Sequence, residues 1–402
     1  MRRIPTIALV ALAASLPLAL AAYAQTPSPR IEDYFTPEQI ARAADYRGTA
    51  YVLSFSRLAL ELGALALLAF GPGARRLRAW VEARVRGRAA RPLVLVVVVV
   101  LTPVLASLGL RLALHDHAAE FGIATNSAGA FLLDVARATG ISLVLTALGV
   151  LLFLLAARRL PRAWPAAVAS GAAALTLAGV FLYPLLYEPV FNRFTPAPAE
   201  VRARVLALAG RAGVGVGDVL IADASRRTSA ANAYVSGFGA TKRVVLYDTL
   251  VTATPADETD FVVAHELSHE AHGDVIGGTL LGIAGSTLGV VVLWALLRSA
   301  RVRRAAGVAG PADPLVVPFL AFLLAAGSIL TLPVANAYSR SIEARADRTA
   351  IELTGDPDAA IALEVRLAVR NLSDLRPNAF VRWMFFSHPS TIERIAAAET
   401  AR

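Results

Sequence analysis

The chain of 402 residues has no cysteine. That excludes disulfides, thiolate metal sites and a cysteine nucleophile. Charge is scarce too. Asp, Glu, Lys and Arg make up 17% of residues, where a soluble domain carries about a quarter. Lys242 is the only lysine, so the net charge of +9 is carried almost wholly by arginine. A basic balance can mark nucleic-acid binding. Here the arginines cluster in short loops between apolar blocks, where they set membrane orientation instead. Neither nucleic acid nor nucleotide is expected as a partner. There is no fixed-period repeat and no low-complexity tail, and the alanine–arginine bias is that of a GC-rich bacterial coding style.

What fills the sequence is apolar: 56% of residues are hydrophobic and mean hydropathy is +0.58. Apolar blocks recur at about 51–71, 92–114, 141–157, 164–187, 275–297 and 314–336. Most have the roughly 20 residues that a helix needs to cross a bilayer. Residues 1–24 open with Arg2 and Arg3 and close with Ala22-Tyr23-Ala24, which fits either a cleavable signal peptide or a first span. The expected fold is mainly α: a polytopic transmembrane helical bundle with a small α/β domain. Its parts are residues 1–24, an N-terminal membrane region at 25–188, the α/β domain at 189–274, two spans at 275–336 and C-terminal helices at 337–402. Strands are expected at 219–222, 232–235 and 243–247, with a turn at 237–240. Arginines fill the loops at 75–91, 158–162 and 298–304. The positive-inside rule places these loops in the cytoplasm. Residues 188–274 and 337–402 then face the opposite side, the periplasm if the membrane is a bacterial inner membrane.

Residues 265–269 read His-Glu-Leu-Ser-His within a helical stretch. Two histidines four apart share a helix face and can reach one metal ion, and the glutamate between them can take a proton from the attacking water. This H-E-x-x-H points to a zinc hydrolase. A third ligand is available in Glu343, with Asp347 one turn further on the same face. Asp347 can fix a ligating histidine by accepting a hydrogen bond from its free ring nitrogen. His272 and Asp274 are read as peripheral, and His115 and His117 as loop residues facing solvent.

The chain resembles the CAAX prenyl protease 1 (Ste24-type) family, integral membrane zinc metallopeptidases of the M48 clan. Five segments carry the match: residues 188–196, Asn232-Ala233-Tyr234 with 242–250, the H-E-x-x-H, 339–347, and Ser387-His388-Pro389 with Glu393-Arg394-Ile395. A weaker echo is Glu120-Phe121-Gly122. The resemblance implies a gluzincin-like peptidase domain and one Zn²⁺ on His265, His269 and Glu343. It also implies Glu266 as the base, and His388 and Arg394 near the ion. His388 could stabilise the oxyanion, and Arg394 could orient an acidic partner or a substrate carboxylate. Asn232, Ala233 and Tyr234 lie on an expected strand whose edge could bind an extended peptide; Tyr234 fits a core position equally well. The resemblance further implies a chamber enclosed by the spans, which would limit substrates to peptides or unfolded tails in contact with the lipid bilayer. Two other readings stand beside it: an HtpX-like membrane quality-control protease, and a catalytically inactive membrane scaffold or transporter. Ser268 departs from the glycine common in the family motif.

Overall fold

The structure, a computed structural model, describes residues 29–87, 89–237 and 242–402. The alternatives for residues 1–24 and the centre of the expected turn, 238–240, lie outside them. The membrane part begins with α1 (Pro37–Ala69), α2 (Gly71–Arg84), α3 (Ala90–Ala106), α4 (Leu108–Glu120), α5 (Ala128–Arg159) and α6 (Trp164–Leu182). A π-helical turn at Tyr183–Tyr187 and α7 (Glu188–Phe191) lead out of it. The α/β part adds α8 (Ala199–Arg211), α9 (Asp248–Ala253) and α10 (Ala256–Ala271). Then come α11 (Asp274–Arg298), α12 (Ala300–Ala306), α13 (Val316–Thr354), α14 (Pro357–Arg370), α15 (Ala379–Phe385) and α16 (Thr391–Thr400).

Five helical segments among the described residues are long and apolar enough to cross a membrane: α1, α5, α6 with its continuation to Phe191, α11 and α13. The pair α3 and α4, bent by 47°, makes a sixth if it acts as one span. This pair is the block at 92–114, and its valine run is helical. The bend falls at Ser107, which is fully buried and donates its hydroxyl to Glu61 (2.8 Å); Arg111 donates to the same carboxylate (2.6 Å). Polar groups at a helix break are satisfied by neighbouring helices, as an apolar solvent demands. The helix α1 starts well before its apolar stretch, because Thr36 and Gln39 form a capping box with Pro37 at the first position.

Phe70, Phe153, Trp164, Leu297, Ala306 and Phe319 belong to one apolar cluster. It gathers the ends of α1, α5 and α11 with the starts of α6 and α13. The three arginine-rich loops therefore share one end of the bundle. At the other end, the loop between α4 and α5 meets the α/β part through an Ala124–Thr228 bridge and a Thr125 N–H to Arg227 O bond of 3.1 Å. The shared side of the loops agrees with the charge pattern. The expectation for His115 and His117 does not hold, because α4 runs on to Glu120. His115 is buried, stacks on Phe131 and lies 3.1 Å from the Asn126 carbonyl; His117 stacks on Tyr46.

The sheet holds β1 (Phe194–Pro196), β2 (Asp218–Ala222), β3 (Ala233–Ser236) and β4 (Arg243–Tyr247) in the order β1-β2-β4-β3. β2 and β4 run parallel, and β1 and β3 pair antiparallel on either side. Val244, Val245 and Leu246 are all buried, as in a strand covered on both faces. One core joins the sheet to α8 and to Val263 and Leu267 of α10, so the H-E-x-x-H helix is fixed against the sheet. β1 and β3 are the two edge strands, and β3 is the one next to the residues that line the clefts at Glu266.

Candidate metal centre and active site

The helix α10 has Asp257 and Glu258 in its first turn, favourable at the positive end of the helix dipole. Buried Glu258 accepts both arms of Arg366 (2.7 and 2.9 Å), which ties α10 to α14. Just past its C-terminus, Gly273 takes φ 68°, a left-handed conformation that favours glycine. The chain then reverses directly into α11, so Asp274 returns beneath His269. His272 donates its Nδ1–H to the Ser268 carbonyl at 2.9 Å and so closes the helix end. Ser268 is fully buried.

α13 has 39 residues and would span about 58 Å at the usual rise. Its apolar part is a candidate span, and its last turns bring Glu343 and Asp347 against α10. His265, His269 and Glu343 offer ligand atoms that all lie within 4.8 Å of one another. The His265 Nε2 is 3.1 Å from Glu343 Oε2 and 3.2 Å from the His269 Nε2, and the His269 Nε2 is 3.7 Å from Glu343 Oε1. The donors around a tetrahedral zinc ion stand about 3.3 Å apart, given bonds near 2 Å.

The other ring nitrogens explain why this convergence calls for a cation. His265 Nδ1–H donates to Asp347 Oδ1 at 2.9 Å, and His269 Nδ1–H donates to Asp274 Oδ2 at 3.0 Å. Each carboxylate thereby selects the tautomer whose Nε2 carries a lone pair. Two such lone pairs and the Glu343 carboxylate then face one another in a buried space. Either a proton or a metal ion resolves that. Burial opposes a charge on His265, but hydrogen bonds with Asp347 and Glu343 outweigh it and push its pKa up to about 9.

Two clefts meet at Glu266. One is lined by Asn232, Phe261, His265, Glu266, His388 and Arg394. The second has room for about 320 Å³ and is lined by Val235, Glu266, His269, Ser339, Ile342 and Glu343. Together they run past the metal-ligand group beside β3, from Asn232 to Val235. Burial pushes the Glu266 carboxyl above its ordinary value. The His388 side chain is exposed and its Nε2 lies 3.3 Å from Glu343 Oε2. Tyr234 is half-buried, with its ring edge-on to Tyr247.

Of the two roles expected for Arg394, the structure shows the acidic partner, Asp347, and not a guanidinium free for a substrate carboxylate. Its Nε and Nη2 donate to Asp347 (2.8 and 2.5 Å) and its Nη1 faces Glu364 (2.7 Å). Asp274 is not peripheral: it orients His269 and pairs with Arg345. Its place immediately after the glycine that ends α10 is the signal in the sequence. Glu364 carries no such signal, since it looks like one polar residue in an amphipathic helix.

A membrane-embedded helical bundle joined to a sheet-backed H-E-x-x-H helix defines a membrane metallopeptidase. Known proteins agree with that class. The Peptidase family M48 profile matches residues 197–402, and the profile described as CAAX prenyl protease N-terminal, five membrane helices, matches 19–193. The chain belongs to peptidase family M48, within its Ste24-type membrane branch. It is 30% identical over 373 residues to an uncharacterized metalloprotease, YhfN, of Bacillus subtilis, covering 91% of this chain and 87% of the relative. It is 31% identical over 237 residues to a CAAX prenyl protease 1 homolog of Oryza sativa, covering 57% of this chain and 54% of that protein. Its fold matches the crystal structure of Ste24p of S. mikatae with a TM-score of 0.82 at 21% identity, over 94% of this chain and 92% of the other.

Proposed function

We propose that the protein is a zinc-dependent endopeptidase that cleaves peptide chains laid along the edge of β3 at a membrane surface. The observation that carries this reading is the convergence of two tautomer-fixed imidazoles and one carboxylate at 3.1–3.7 Å. One Zn²⁺ on His265, His269 and Glu343 would act as a Lewis acid, polarising the scissile carbonyl and acidifying water.

The protein's own groups do the rest. Glu266 takes a proton from the attacking water and hands it to the leaving nitrogen; a carboxyl raised by burial suits both steps near neutral pH. His388, exposed beside Glu343, donates an N–H to the oxygen on which charge develops. Arg394 works through Asp347 and is a positioning residue. The peptide adds as a strand to β3, using Asn232, Ala233 and Tyr234. This edge borders the clefts on both sides of Glu266. The words CAAX prenyl protease belong to the name of the Oryza sativa relative; for this chain the substrate class is an extended or unfolded peptide segment. The positive loops support an orientation with the site on the periplasmic side of a bacterial inner membrane. The match to a five-helix N-terminal membrane region favours this reading over a quality-control protease with fewer spans.

The test is cleavage of a generic unfolded peptide by the purified protein. Glu266→Gln should retain the metal and lose about 10²–10⁴-fold in kcat/KM. Wild-type rates in that variant would remove the mechanism.

A further inference from the structure

We propose that Glu364 is a positioning residue of the metal centre: by anchoring Arg394, it holds the Asp347 carboxylate where it orients His265 for the ion. This rests on the metallopeptidase reading above. α14 buries Ala360, Ile361, Leu363, Glu364 and Ala368. Residues 360, 364 and 368 follow a four-residue spacing, so the glutamate occupies a core position on the apolar stripe of its helix. A glutamate is rarely buried there unless paired.

Its partner is Arg394. That guanidinium hydrogen-bonds Asp347 through Nε and Nη2, and its Nη1 makes an ion pair with Glu364 Oε1 at 2.7 Å, by charge and proximity rather than hydrogen-bond geometry. Asp347 and Glu364 are each only 5% exposed. Three helices, α13, α14 and α16, thus contribute one buried acid–base–acid row that ends at the His265 ring. An apolar core would serve folding as well or better, since an ion pair taken out of water often gains little over well-packed hydrophobic residues. Burial pushes the Glu364 carboxyl up to about 7 despite the attraction of Arg394, so ionising it works against the fold.

The other ligand histidine shows what is missing without a second acid. Arg345 backs Asp274, which orients His269, but Arg345 is 39% exposed and Asp274 is the one carboxylate paired with it in the described ion pairs. With Nη1 unanchored, Arg394 could rotate about its bonds to Asp347 and draw that carboxylate away from His265.

The experiment measures zinc affinity of the full-length purified protein by chelator competition, together with thermal unfolding of the metal-free form. Glu364→Gln should weaken zinc binding about tenfold, within the 10–100-fold range for partners of ligating histidines, while the metal-free unfolding temperature stays level or rises. Introduced beside Asp347→Asn it should cost nothing further, because both act along one row. Unchanged zinc affinity in Glu364→Gln would overturn the proposal, as would losses that simply add to those of Asp347→Asn. If Glu364→Gln does not fold, Glu364→Asp keeps the charge but withdraws the carboxylate, and the same criteria apply to it. Failure of the wild-type protein to bind zinc would count against the metallopeptidase reading instead.

Discussion

At the arginine-rich end of the bundle, Phe70, Phe153, Trp164, Leu297 and Phe319 bring five helices together in one apolar cluster, with the partly exposed Arg78–Asp313 ion pair beside it. At the other end, α10, α13, α14 and α16 meet through His265, Glu343, Asp347, Glu364 and Arg394, all buried or half-buried. Both are junctions of helices, and only the first is what folding by itself would select. The second places ionisable groups out of water, where each needs a partner. The difference separates the part of the molecule that holds the shape from the part whose donors could hold an ion.

The comparison can be sharpened first within the metal end. Asp347→Asn should weaken zinc binding by about 10–100-fold. Asp274→Asn should weaken it less, because the His269 side chain is 19% exposed against 9% for His265 and water can replace the lost acceptor. Chelator competition from pH 6 to 9 measures both and adds a pH test. His265 must give up a proton to bind the ion. Its pKa in the metal-free fold is raised from 6.5 to about 9, so zinc affinity should fall by up to about tenfold per unit as pH drops below 9. The same shift stabilises the metal-free fold below pH 6.5, and that stabilisation disappears as pH rises through 9. Equal losses for the two aspartate variants would break the distinction between the two histidines.

A smaller effect is expected at the opposite end. Leu95 of α3 is fully buried in the apolar cluster of α1, α2, α3 and α13. Leu95→Ala should cost about 2 kcal/mol, the low end for such a cavity, since lipid is as apolar as the core. Thermal unfolding reads that cost, and kcat/KM per folded molecule should not change.

Much of the fold and of the metal centre is legible in the amino-acid sequence. Apolar blocks of bilayer length mark the spans, because in lipid the backbone must bond within its own helix. The H-E-x-x-H and the Glu343–Asp347 pair are visible because helical spacing maps directly onto one face. The three expected strands fall close to β2, β3 and β4. What stays hidden depends on tertiary neighbours. β1 is three residues long and exists through its pairing with β2. The break at Ser107 is set by Glu61, a residue of another helix. His115 reads as solvated in the sequence because its partners, Asn126 and Phe131, come from the next turn and helix. Resemblance puts Arg394 near the ion, but only the fold shows its guanidinium held between two acids.

The most direct test of the central claim is X-ray absorption at the zinc edge on the purified, zinc-loaded full chain. The account predicts one zinc per chain with two imidazole nitrogens and one carboxylate oxygen among its ligands, the carboxylate being lost in Glu343→Gln. A zinc shell without imidazoles, or one left unaltered in that variant, would contradict it.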